Sequence, residues 1–339
     1  MSSNTKNIAI IATPTSPILP HLLHLLSHTP SYETILITRK TILEIPFTTS
    51  ALPSDSHPNT DSNSHVSSYY EHEHEHGNQP LTTRPGTNNQ AHNHTSTSTQ
   101  AIKHIQTDFS APDLTAHLQS THTIICLLHG ADIHLQIPII SLCTSGSLPN
   151  IGLFIPSEYG LDTGNPAIRA LLPPYATRFL VQEALRSPSP SIGNKNGLRW
   201  KAIYSGLSLA ESLKSDGVLG IDILWASVVW FPGTSGIKLA ISSYEDIASQ
   251  IFDAVSDSPS PSTSSHNSLN GNSSGDSNEE EGKGNGKAIH AAGFRATLTE
   301  IAQVVERALD KPLDRYEADM GGARREAGER MARGFVDGA

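Results

Sequence analysis

Four short runs constrain this chain most: IAII at residues 8–11, TILIT at 34–38, TIICLL at 123–128 and GLFI at 152–155. Each is apolar at nearly every position. A strand with one wet face alternates polar and apolar residues, so a run apolar throughout belongs to a sheet buried on both faces. The segments between them read as helices. After the first strand, Ser16 stands as N-cap and Pro17 as first helical residue, with Ile18, Leu19, Leu22, Leu23, Leu25 and Leu26 forming one broad apolar face. Residues 114–118 read as a short helix, and 133–143 as a helix broken near Pro138. Residues 101–106 supply one more strand. Strands alternating with helices define an α/β fold with a doubly wound parallel sheet.

The alternation continues downstream. Residues 175–187, 244–255, 297–309 and 319–334 read as helices; 200–205, 228–231, 237–240 and 287–291 read as strands. Two stretches interrupt it, 46–98 and 256–286, rich in Ser, Thr, Asn, His, Gly and Pro. Such segments bury too little apolar surface to offset chain entropy, and disorder is expected there. The run EHEHEH at 71–76 lies in the first of them. It is read as solvated low-complexity sequence able to chelate Zn²⁺ or Ni²⁺ adventitiously, not as a folded metal site.

Composition excludes several classes. A formal net charge of −10 argues against direct nucleic-acid contact. No apolar run approaches the ~18 residues that a spanning helix needs, so no membrane association is expected. The polar residues 1–7 lead straight into a strand, unlike a secretory signal. The two cysteines, Cys126 and Cys143, sit in apolar segments, which fits a reducing, cytoplasmic setting.

The segments GLFIPSEYGLD (152–162), LRWKAIYSGLSL (198–209), residues 229–255 and REAGERMARGF (325–335) occur in that order. In this they resemble the NmrA-like / isoflavone-reductase-like family, an atypical branch of the short-chain dehydrogenases/reductases. The resemblance implies a Rossmann domain (1–255, interrupted at 46–98) that binds NADP(H). It also implies a small C-terminal substrate lobe that includes 287–339, joined by the linker 256–286, and a substrate segment that in the family continues past residue 339.

Several family features can be placed residue by residue. The glycine-rich turn after the first strand lets a pyrophosphate approach the backbone at a helix N-terminus. Here that turn reads Ala12-Thr13-Pro14-Thr15-Ser16-Pro17-Ile18, with Ala12, Thr15 and Ile18 at the three glycine positions. The hydroxyls of Thr13, Thr15 and Ser16 are the candidate replacement donors. Arg39 and Lys40 follow the second strand, where a basic residue can pair with a 2′-phosphate, and no acidic residue stands beside them to hold a ribose hydroxyl. The resemblance puts Asp108 and Phe109 beside the adenine, and Leu128, Pro156 and Ser157 along the nicotinamide edge. It puts Arg178 where related members carry a catalytic lysine. Arginine keeps its proton at neutral pH, so Arg178 suits electrostatic stabilisation and not proton donation. Tyr159 and Tyr175 are the alternative proton donors.

Two functions follow from the resemblance. One is NADPH-dependent reduction of a small organic substrate. The other is a non-catalytic regulator that senses NADP(H) or binds a protein partner, to which the lost glycines and Arg178 point. Decay to neither activity is a third reading. The composition of 46–98 yields a prediction. Loop-closure cost grows only slowly with length, so replacing 46–98 with a short linker should shift chemical-denaturation stability by no more than about 2 kcal/mol. Unfolding of that variant, or of the full chain by a chelator, would make the His-rich run structural.

Overall fold

The computed structural model describes residues 5–39, 101–187, 198–214, 218–234, 236–256 and 286–332. Lys40, the stretch 46–98 with its EHEHEH run, nearly all of 256–286, and residues 333 and 334 of the expected last helix lie outside the described residues.

The first half alternates as its apolar runs demand. In order come β1 (Lys6–Ala12), α1 (Leu19–Ser27), β2 (Tyr32–Arg39), β3 (Lys103–Thr107), α2 (Ala111–Leu118) and β4 (Thr123–Leu127). A 3-10 turn (Gly130–Leu135) then leads into α3 (Gln136–Thr144), β5 (Leu153–Ile155), α4 (Pro166–Leu171), α5 (Pro173–Arg186) and β6 (Arg199–Tyr204). Next come β7 (Leu207–Ser208), α6 (Leu209–Ser212), β8 (Ile221–Asp222), β9 (Ser227–Trp230), β10 (Lys238–Ser242), α7 (Tyr244–Ser256) and β11 (Gly286–His290). The described chain closes with β12 (Phe294–Thr297), α8 (Leu298–Leu309), β13 (Asp314–Glu317) and α9 (Met320–Ala332).

The main sheet has seven strands in the order β11-β6-β5-β4-β1-β2-β3, every pair parallel. This is the doubly wound Rossmann-type α/β fold, and the chain reverses direction across the sheet between β1 and β4. Side chains of β1 divide by period two. Ile8, Ile10 and Ala12 pack with Leu19, Leu22 and Leu26 of α1 and Ile247 and Ile251 of α7. Ala9 and Ile11 pack on the other face with Leu114 and Leu118 of α2, Ile139 and Cys143 of α3, and Val181 of α5. Burial on both faces is why the strand sequences show no alternation. Strand β3 is the exception: KHIQT is largely exposed, as an edge strand can be.

A third cluster forms the smaller lobe. Leu219, Ile221, Val228 and Ile241 from the 207–242 region pack against Leu298, Ile301, Ala302 and Val305 of α8. Two three-stranded sheets frame it, β12-β10-β7 and β13-β9-β8. Strand β11 pairs in parallel with β6 and so belongs to the main sheet, while 207–242 contributes to the lobe. Helix α8 starts with a reciprocal cap, in which Thr297 and Glu300 satisfy each other's backbone N–H groups.

Two local expectations are corrected. Helix α1 begins at Leu19, with Ile18 as its N-cap, not at Pro17 after Ser16. The Ser16 N–H donates to Thr13 O and the Leu19 N–H to Ser16 O, so two tight turns use up this stretch before the helix opens. Pro138 does not break its helix. It is the third residue of α3, where a missing N–H leaves no intrahelical bond unmade, and the discontinuity falls earlier, where the 3-10 turn meets α3.

At the end of β6 the chain needs glycine. Gly206 has φ +80°, and a Cβ there would lie 2.2 Å from Ala240 O, against backbone that has no room to move aside. Gly206→Ala should cost 1 kcal/mol or more, read as a lowered denaturation midpoint. An unchanged midpoint would show that β6 and β10 are not packed this closely.

Candidate functional site

In an open α/β sheet the strands' carboxyl ends leave a crevice where neighbouring strands send their connections to opposite faces. Here that place is the β1/β4 junction, and a cavity of about 550 Å³ opens there. Its walls come from the loop after β1 (Thr15, Ser16, Pro17, Ile18), the end of β4 (Leu127, Leu128, His129) and the turn after β5 (Ser157, Tyr159, Gly160). Helix α5 adds Tyr175 and Arg178, and the start of the smaller lobe adds residues 206–208, Glu211, Ser212 and Lys214, with Val218, Tyr244 and Ile247.

The β1 and β4 loops are laced together. The Thr13 N–H donates to Leu127 O at 3.2 Å, the His129 N–H to Thr13 Oγ1 at 3.3 Å, and Thr15 Oγ1 lies 3.2 Å from His129 Nε2. Prolines 14, 17 and 20 bring no N–H. Those of Thr13, Ser16 and Leu19 are already spent on Leu127, Thr13 and Ser16. The remaining donors of this stretch are the N–H groups of Thr15 and Ile18 and the hydroxyls of Thr15 and Ser16.

The PSEYG turn is a clasp between β5 and β4. Ser157 Oγ donates to Cys126 O at 2.9 Å and accepts from the Leu128 N–H at 2.7 Å, while its own N–H donates to Gln136 Oε1. Tyr159 Oη donates to Cys126 O at 3.0 Å and the ring packs against the α1/α7 core, so this hydroxyl is structural. Gly160 permits a close approach: a Cβ there would stand 2.8 Å from Tyr175 Oη and 3.1 Å from Arg178 Nη1. Arg178 lies over the Tyr175 ring at 4.9 Å, and its buried Nε has no hydrogen-bond partner among the described residues.

Of the residues singled out in the sequence, Thr15, Ser16, Leu128, Ser157 and Arg178 line the cavity. Ala12 is fully buried in the core and Thr13 serves the loop lacing. Pro156 is buried beneath the clasp. Asp108 and Phe109 shape the start of α2. Asp108 Oδ1 accepts from the Ser110 N–H, and Phe109, at φ 63°, packs against the core. Neither lines the cavity. Arg39 reaches across to Asp132 at 2.9 Å, so a carboxylate from beyond β4 occupies the guanidinium that the sequence left unpaired.

The sequence reading missed two clusters. On the lobe side, Glu211 accepts from Tyr244 Oη with one oxygen and from Lys214 Nζ with the other. These bonds hold the Glu211 carboxyl below its usual range, the lysine bond most; burial, then the Glu211 bond, push Tyr244 up. No local motif marks these residues, because Tyr244 comes from a helix far along the chain. Behind the cavity, Glu158 is 1% exposed. Thr163 Oγ1 donates to its Oε2 at 2.8 Å, Oε1 has no partner among the described residues, and Gln182 bonds Thr163 and Tyr204 Oη. Burial raises the Glu158 carboxyl to about 7, against the opposing pull of the Thr163 bond and the Arg178 charge. Burial likewise pushes Tyr204 up to about 12. Only the glutamate of the PSEYG segment hints at this in the sequence.

Among the described residues no helix is long and apolar enough to cross a membrane, and no group of three or more His, Cys, Asp or Glu is placed to hold a metal ion.

No protein-family profile and no curated protein sequence matches the chain. Solved structures do. The ternary complex of leucoanthocyanidin reductase from Vitis vinifera superposes with a TM-score of 0.56 at 13% identity, over 97% of this chain and 83% of that one. The binary complex of leucoanthocyanidin reductase with NADPH from Vitis vinifera gives 0.55 at 14%, over 95% and 81%. UDP-N-acetylglucosamine 4-epimerase from Methanobrevibacter ruminantium M1, in complex with UDP-N-acetylmuramic acid, gives 0.50 at 13%, over 93% and 86%. The chain therefore shares the fold of these reductase and epimerase structures.

Glu158 makes stability depend on pH. Its folded pKa lies above its unfolded one, about 7 against 4.5. Below pH 4.5 both states hold the proton; as pH rises towards 7 only the folded state keeps it, and stability falls across this window. The full cost is on the order of 3 kcal/mol above pH 7. Glu158→Gln should flatten the decline in urea-denaturation stability between pH 5 and pH 8. Parallel profiles for the two proteins would show that Glu158 titrates normally.

Proposed function

We propose that this chain is an NADP(H)-dependent reductase of a small organic substrate. The observation that carries the reading is the cavity at the β1/β4 junction of a reductase fold, large enough for a small ligand and open where such sheets bind dinucleotides. The residues present fit the group in part. Thr15, Ser16 and the amino end of α1 would hold the pyrophosphate, with fewer N–H donors than a glycine turn supplies. Leu127, Leu128 and Ser157 would edge the nicotinamide. Arg39 would meet the 2′-phosphate, as the sequence reading also asks of Lys40, and Asp108 and Phe109 would mark the adenine end outside the cavity.

The bound dinucleotide supplies a hydride. Arg178 provides fixed positive charge at the cavity wall and keeps its own proton. Tyr175 supplies the proton: it lines the cavity, and its oxygen accepts from the Leu161 N–H, whereas the Tyr159 and Tyr244 hydroxyls are donated to Cys126 O and Glu211. Cys126 and Cys143, both free and buried, suit a reducing compartment, and we place the protein in the cytoplasm.

The proline-bearing loop after β1, with its donors largely spent, favours a second reading: a dinucleotide-sensing regulator with no turnover. NADPH binding without oxidation across a panel of aldehydes and enones would select it.

Titrating NADPH and NADH separately tests both readings' shared premise. A charged phosphate contact is worth about 1.5–3 kcal/mol, so NADPH should bind ~10–100-fold more tightly than NADH. Arg39→Ala should remove most of that preference. Asp132→Asn should enlarge it, because it releases Arg39 and removes a carboxylate from beside the phosphate. Equal affinities for the two cofactors in the unaltered protein would refute the assignment.

A further inference from the structure

The cavity's charges do not balance. Glu211 has both carboxylate oxygens engaged, one by Tyr244 Oη and one by Lys214 Nζ, so that wall is locally neutral. The same cavity is lined by Arg178, whose Nε is buried and unpartnered among the described residues and whose guanidinium contacts the Tyr175 ring. Arg178 stands there with no ion pair or hydrogen bond to any described residue; a guanidinium in such an enclosed place is stabilised by an anion that its Nη donors can meet. The lining also offers apolar surface, from Pro17, Ile18, Leu127, Leu128, Val218 and Ile247.

We propose that the cavity takes a small organic acid, its apolar body between these side chains and its carboxylate on Arg178. This names the substrate class of the proposed reductase and rests on that reading for the word substrate; the binding itself does not need the dinucleotide. The cofactor's phosphates are the other possible source of an anion. They are expected at the amino end of α1, whereas Arg178 belongs to a different element, α5. Arginine suits the role because its planar fork meets a carboxylate with two parallel N–H donors, which lysine cannot do.

The site has a built-in reporter. Glu158 lies behind Arg178 and feels its charge, with Oε1 unpartnered. The groups facing it are Thr163 and Asp162 of its own turn, Arg178 and Gln182 of α5, and Tyr204 of β6; Tyr159 adjoins it in the chain. When an external carboxylate takes up the Arg178 charge, the Glu158 anion loses its nearest compensation and Glu158 binds a proton more readily. Ligand binding near pH 7 should therefore draw protons from the buffer.

Isothermal titration of the full chain, without dinucleotide, tests this with phenylacetate and its neutral isostere phenylacetamide. Phenylacetate should bind at least tenfold more tightly. Repeating the titration in buffers of different ionisation enthalpy should reveal proton uptake, which Glu158→Gln abolishes. Arg178→Gln should bring the two affinities together, and Arg178→Lys should keep part of the preference. Should Arg178→Gln fail to fold, the lysine variant and the carboxylate-to-amide ratio of the unaltered protein still decide. Equal binding of the two probes, no binding of phenylacetate at millimolar concentration, or a preference that survives Arg178→Gln would overturn the proposal. Competition of NADP⁺ or inorganic phosphate with phenylacetate, lost in Arg178→Gln, would assign Arg178 to a phosphate and overturn it too. If NADP⁺ does not bind at all while the carboxylate preference holds, the reductase reading fails and the organic-acid site stands.

Discussion

Strand β1 is hydrogen-bonded in parallel on both sides, to β2 and to β4, and the rest of the molecule depends on that double pairing. Parallel neighbours need crossovers, and crossovers put helices on both faces of the sheet. Because β2 and β4 lie on opposite sides of β1, the crossover helices diverge there and their amino ends cannot close over the strand ends. The cavity is the space this divergence leaves. Its width is set by the bonds that tie the two loops together, from Thr13 to Leu127 and His129, and its depth by the Ser157 clasp between β5 and β4.

That lacing has consequences for the loop after β1. In a glycine turn the backbone N–H groups face a phosphate. Here three prolines bring none, and three of the remaining N–H groups are turned onto protein carbonyls. The loop has exchanged capacity for an anion against rigidity of its own. Positive charge is found instead on other elements, in Arg39 at the end of β2 and in Arg178 of α5 at the cavity. Arg39 is exposed and paired with Asp132, an arrangement that contributes little to stability. Arg178 is partly enclosed and imperfectly paired, which is the condition of a group kept for a ligand.

Glu158 is the least comfortable residue in this arrangement. It sits at 1% exposure in the middle of the turn that forms the cavity floor, held by Thr163 and with one oxygen unsatisfied among the described residues. An apolar side chain would be cheaper there. Its place beside Arg178 couples the electrostatics of the cavity to a buried proton, and the Thr163–Gln182–Tyr204 bonds fix the geometry in which that coupling acts.

Sequence alone determined the sheet. Runs such as IAII and IICLL cannot be half-wet strands, since neither face offers polar residues to water, and helices must intervene to cover them. The turn GLFIPSEYGLD was legible too, as was the position of Arg178 on the helix that follows it. What the tertiary structure decided was pairing between distant residues. Asp132 meets Arg39 across a gap of 93 positions, and Tyr244 meets Glu211 across 33. The role of Ser157 was hidden for the same reason, because its partners Cys126 and Leu128 lie on another strand. The helix start at Leu19 was misread because Ser16 and Pro17 satisfy the local rules of a cap, while the competing turn bonds from Thr13 to Ser16 and from Ser16 to Leu19 appear only once β1 is fixed beside β4. Periodicity reports which faces of an element are buried; which side chains meet across the carboxyl ends of the strands is set by sheet order, and sheet order is not written in any local pattern.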